Sequence, residues 1–70
     1  MIEQLQQALK RAAEIRELSW SAEEKQYKVS LQDACDSACA EVGFDTRANF
    51  VVFMLLTNCW NESLEWAEMS

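Results

Sequence analysis

Along the first segment Ile2, Leu5, Ala8, Leu9, Ala12, Ala13, Ile15 and Leu18 recur at steps of three and four, with Gln, Glu, Lys and Arg mostly between them. That spacing predicts an amphipathic helix with one apolar stripe, built almost entirely from strong helix formers. It should end near Leu18, where Ser19-Trp20-Ser21 offers competing side-chain hydrogen bonds. Ser21 with Glu24 reads as a capping box opening a second helix, and the short connection predicts an antiparallel helical hairpin over residues 1–42. In the second segment Tyr27, Leu31, Ala34, Cys35, Ala38 and Val42 fall on one stripe. Gly43 stands where a left-handed C-terminal cap is needed, with Phe44 placed to fold back toward Cys39. The run Tyr27-Lys28-Val29-Ser30-Leu31 also alternates like a half-buried strand, so helix and strand both stay open there.

Asp45 or Thr46 can cap a third helix, and the pattern continues far enough to predict one long element over residues 46–68. On its wheel Ala48, Val52, Phe53, Leu55, Leu56, Cys59, Trp60 and Ala67 share one broad side, while Arg47, Asn58, Asn61, Glu62 and Glu65 share the other. Phe50, Val51 and Met54 fall on that otherwise polar side, so the first two turns are apolar nearly all round. The expected fold is therefore all-α: one three-helix domain spanning residues 1–70, with no internal boundary. Two other helices give little cover for an all-round apolar turn. A homodimer joined through Phe50, Val51 and Met54 is the expected solution.

Composition narrows the classes of function. With no His, no Pro and Gly43 as the one glycine, the chain has no imidazole base and no Gly-rich phosphate cradle. The longest apolar run, Phe50 to Leu56, is too short to span a bilayer, and the N-terminus has no signal-peptide pattern. No membrane association is expected. The net charge of −6 is unevenly placed. Residues 1–28 balance five basic against five acidic side chains, whereas residues 29–70 set Arg47 alone against Asp33, Asp36, Glu41, Asp45, Glu62, Glu65 and Glu68. Such a field repels a phosphate backbone and steers a basic protein surface toward it. Acidic residues that merely keep a small apolar protein soluble would show the same excess.

Candidate chemistry is sparse. Cys35, Cys39 and Cys59 could offer three thiolates to zinc, but a fourth Cys or a His is absent and the spacing is not that of a knuckle; they fit better as small apolar side chains. No cofactor or metal is expected. The odd cysteine count without an export signal points to a reducing, cytoplasmic compartment. Arg47 is the one cation able to activate a thiol in this part of the sequence, and carboxylate pairs such as Asp33 with Asp36 or Glu62 with Glu65 look like solvated helix faces. No enzyme activity is expected. Trp60 and Trp66 lie about 120° apart on the wheel, which leaves Trp66 as a candidate binding anchor.

The stretch Ala40-Glu41-Val42-Gly43-Phe44-Asp45-Thr46-Arg47-Ala48-Asn49-Phe50 resembles the helix, Gly-apolar turn and capped helix of helix-turn-helix regulators and ribbon-helix-helix antitoxins. The antitoxin likeness implies a DNA-reading ribbon at Tyr27 to Leu31 and a dimerising helix at Thr46 to Trp60. That ribbon, however, lacks the basic and amide side chains that read base edges. In the helix-turn-helix likeness Phe50, Val51 and Met54 stand where polar groups should meet DNA. Any helix-Gly-helix corner carries the same punctuation, so no family follows from it.

The sequence reading is thus a non-catalytic acidic interaction module that binds and inhibits or modulates a basic, nucleic-acid-handling protein, as phage-encoded anti-CRISPR and host-takeover proteins do. For partner contact it names Asp33, Asp36, Glu62, Glu65 and Trp66. A phage-encoded chain of this kind would act in the host cytoplasm. The alternatives are a dimeric antitoxin or DNA-binding regulator using the Gly43 corner, and a structural assembly subunit.

Overall fold

The structure is a computed structural model that describes residues 2–69. Among the described residues it holds four helices and one two-stranded antiparallel sheet: α1 (Ile2–Leu18), β1 (Trp20–Ser21), β2 (Gln26–Tyr27), α2 (Leu31–Val42), α3 (Phe50–Asn58) and α4 (Trp60–Glu68). The molecule is mostly helical, as the apolar spacing predicts, but with four helices where the sequence suggests three.

The core centres on α1, which takes α2 and α4 against it. Leu5, Ala8, Leu9 and Ala12 of α1 are buried against a facing stripe of Ala34, Cys35, Ala38 and Cys39 on α2. Small side chains on both surfaces bring the backbones close, so packing here depends on fit rather than on bulky side chains. Phe44, Phe53 and Ala67 complete the buried cluster.

Between α1 and α2 the chain forms a β-hairpin in place of the expected start of a helix. Ser21 does accept from the Glu24 amide, at 3.2 Å, but the bond closes a hairpin turn instead of opening a helix. Trp20 pairs with Tyr27 and Ser21 with Gln26, and Lys25 takes a left-handed φ of 56° to complete the reversal. The physical reason lies in Tyr27. Its ring meets Trp20 edge-on at 5.0 Å, lies under the Arg16 guanidinium at 4.3 Å, and its hydroxyl donates to Glu17 at 3.1 Å. These contacts clasp the hairpin to the last turn of α1, whereas a helix through Ser21 would carry Tyr27 away from them. Tyr27 therefore ends β2, residues 28–30 connect, and Leu31 opens α2, so the five-residue ribbon implied by the antitoxin likeness is not formed. The true cap of α2 is Ser30, whose Oγ accepts from the Asp33 amide at 3.1 Å.

The end of α2 follows the sequence. Gly43 adopts φ 81°, a left-handed value that favours glycine, and the Phe44 amide donates back to the Cys39 carbonyl at 2.9 Å. Phe44 is buried as a result.

The long helix expected over residues 46–68 is divided in two. Asp45 Oδ1 accepts from the amides of Arg47 at 2.9 Å and Ala48 at 3.2 Å, which ties residues 46–49 into a turn and delays the helix to Phe50. The element then breaks at Cys59, where φ −112° and ψ 53° leave the helical region. The break lets the two halves meet the core separately: α4 returns along α1 while α3 contacts α2. A straight helix could not cover both.

Candidate interaction surfaces

After the break, four apolar side chains of α3 are exposed, spread over about half of the helix circumference. Phe50 is 58% exposed, Val51 70%, Val52 46% and Leu55 61%. The sequence named Phe50, Val51 and Met54 for this surface. Phe50 and Val51 belong to it, but Met54 is half-buried and packs against the core. Val52 and Leu55, assigned from the wheel to the inner side, are exposed instead. One continuous rod would have a single buried side, whereas α3, ended by the break at Cys59, buries Phe53 and half-buries Met54 and Leu56. No side chain from Phe50 to Asn58 is charged. Large apolar side chains gathered in the open on one short helix suit an interaction surface.

All twelve acidic side chains are exposed, but they are not equally engaged. Glu41 is held by Arg11 across α1 and α2, with Nε to Oε2 at 2.8 Å and Nη2 to Oε1 at 3.4 Å. This bond keeps the Glu41 carboxyl below its ordinary range. Arg11 also reaches Glu14 at 3.2 Å, and Lys28 stands 3.9 Å from Glu24. Asp33 and Asp36 lie on α2, and Glu62 and Glu65 lie on α4. The two helices pack on α1 and hardly touch each other, so these four carboxylates form two separate groups. Trp66 is half-buried against the core, and its carbonyl accepts from Gln6 Nε2 at 3.5 Å. Trp20 is the more exposed indole, at 49%.

A groove that the sequence did not indicate lies between α1 and α4. This open groove of about 350 Å³ is lined by Lys10, Ala13, Glu14 and Glu17 from α1 and by Leu64 and Glu68 from α4. Its α1 wall follows from the three- and four-residue steps between Lys10, Ala13, Glu14 and Glu17, but the facing wall depends on α4 folding back. Counting charge along the chain made the first 28 residues neutral, which hid the gathering of Glu14 and Glu17 with Glu68.

Cys35 and Cys39 are buried. Burial pushes their thiols up, to about 12 and about 11, because desolvation opposes the thiolate. Cys59 is exposed at the α3–α4 break. Among the described residues no group of three or more His, Cys, Asp or Glu side chains is placed to hold a metal ion, and no helix is long and apolar enough to cross a membrane. No protein-family model matches the chain, and comparison with curated proteins and with solved structures gave no significant match.

Proposed function

We propose that this chain is a non-catalytic protein-interaction module that pairs with a second copy through α3 and presents its acidic surface to a basic protein, acting as an inhibitor or modulator of a protein that handles nucleic acid. The observation that carries the reading is the outward face of α3, with Phe50, Val51, Val52 and Leu55 exposed on a helix without a charged side chain. Pairing through this face keeps the repulsion between two chains of net charge −6 away from the contact. A standard interface covers about 800 Å² on each partner, with an apolar centre and a polar rim.

The exposed carboxylates outnumber the cations by two to one, and Arg16 is turned inward over Tyr27. A basic surface is attracted at long range and oriented on approach.

The test has two arms. Sedimentation of the wild-type chain and of the Val51→Gln, Leu55→Gln double variant should give dimer and monomer respectively, with helicity unchanged; equal masses would overturn the dimer. A pull-down from nuclease-treated bacterial lysate at two salt concentrations should recover a stoichiometric basic protein that is lost at high salt. Recovery of the bait alone would overturn the partner reading.

A further inference from the structure

The groove between α1 and α4 combines features that neither helix has alone. Its floor is apolar, made by Ala13 and Leu64, both half-buried. Its rim carries three carboxylates, Glu14, Glu17 and Glu68, beside the Lys10 ammonium and with the Arg11 guanidinium 3.2 Å from Glu14, so negative charge exceeds positive there by one. The α1 wall runs from residue 10 to residue 17, which is about 10 Å of helix, long enough to lay down one extended arginine or lysine side chain. Such side chains have the matching division, with an apolar stem that lies on apolar surface and a cationic head that seeks carboxylates.

We propose that this groove is where the basic partner docks, by laying an arginine or lysine side chain from an apolar-flanked segment along Ala13 and Leu64 with its charged head among Glu14, Glu17 and Glu68. The inference rests on the reading of the chain as a module for a basic protein, and it assigns that contact to one place. Charge complementarity selects this occupant over a second copy, because a second copy would bring further carboxylates to an acidic rim.

Two of the rim groups already have a hydrogen-bond partner. Glu17 accepts from the Tyr27 hydroxyl at 3.1 Å, which ties the groove to the hairpin clasp, and Glu14 is held by Arg11 at 3.2 Å. Both carboxylates keep a second oxygen for an incoming cation, so part of the ordering cost is met before binding.

The experiment is an amide-shift titration by NMR with the blocked tripeptide acetyl-Leu-Arg-Leu-amide, and with a companion in which norleucine replaces arginine. The arginine peptide should give saturable shifts centred on residues 10–17 and 64–68, and the norleucine peptide much smaller ones. Exchanging Glu17→Gln and Glu68→Gln together keeps hydrogen-bond acceptors while removing two charges. It should weaken binding about fivefold, as expected for exposed charge pairs, whereas Asp33→Asn with Asp36→Asn should leave it unchanged. Shifts spread evenly over all acidic helices, with both double variants equally weakened, would overturn the groove while leaving the basic-partner reading intact. Equal binding of the norleucine peptide, or no shift near Leu64, would also overturn it. The salt-dependent pull-down reports separately on the parent reading.

Discussion

The hydroxyl of Ser63 donates a 2.9 Å hydrogen bond to the carbonyl of Leu56, across the break between α3 and α4. The seven-residue separation has a clear reason. Once the chain leaves the helical region at Cys59, the last carbonyls of α3 lose their helical partners, and Ser63 supplies one of the missing donors. The residue is 4% exposed, so water is a poor substitute. Ser63→Ala should therefore destabilise the fold by about 1–2 kcal/mol despite the better helix propensity of alanine, measured by urea denaturation. A neutral outcome would mean that the break does not depend on this bond.

Close approach of α1 and α2 rests on Ala12, Ala34 and Ala38, all fully buried. Ala38→Leu adds volume where no cavity receives it and should cost about 1–3 kcal/mol. Urea denaturation, with near-ultraviolet circular dichroism as a check on packing, would show it.

Phe53 and its neighbours separate stability from association. Phe53 is 4% exposed, and Phe53→Ala should cost about 3–5 kcal/mol through the cavity it leaves. Val51→Gln with Leu55→Gln touches the outward face, so thermal melting at high dilution should change little while self-association is lost. A similar loss of stability in both variants would place Val51 and Leu55 in the core.

The thiols give a count that needs no partner. In native protein at pH 8, a chromogenic disulfide reagent should modify Cys59 quickly and Cys35 and Cys39 slowly, with all three reacting after denaturation. Because the folded-state values of Cys35 and Cys39 are raised from 9.0 to about 12 and about 11, their contribution to stability is full below pH 9 and is lost as the pH climbs through that window. The urea midpoint should fall on the alkaline side accordingly, and less so in a Cys35→Ala variant.

The Arg11–Glu41 contact acts on the acid side. Arg11 lowers the Glu41 carboxyl, so the bond favours the fold above the ordinary carboxylate range, and the advantage disappears as the pH falls through the depressed value. Glu41→Gln should be less stable than wild type at neutral pH, and the two should converge in acid. A constant gap at all pH values would assign the effect to packing instead.

The apolar spacing of α1, the small-residue stripe on α2 and the Gly43 cap are all legible in the sequence, because each is a local relation within one or two turns. The hairpin is not. Ser21 and Glu24 carry a capping-box pattern, yet the clasp of Tyr27 by Arg16, Glu17 and Trp20 joins residues up to eleven positions apart in sequence, and a pattern of caps is blind to it. The break at Cys59 is hidden for a related reason. Neither Gly nor Pro marks it, and each half alone reads as good helix.

The candidate surfaces divide in the same way. Excess apolar character at Phe50 and Val51 is visible in composition, since no wheel could bury all of that turn. Which neighbours join them is not, and Val52, Leu55 and Met54 exchange roles once α3 takes its own axis. The sequence by itself determined that the chain would be helical, acidic and provided with more apolar surface than three short helices can cover, because propensity, charge and periodicity are properties of the residues. Only the tertiary structure decided where that surface faces and that Glu14, Glu17 and Glu68 share one groove. Those relations arise from the return of α4 along α1, which is fixed by packing between residues some fifty positions apart.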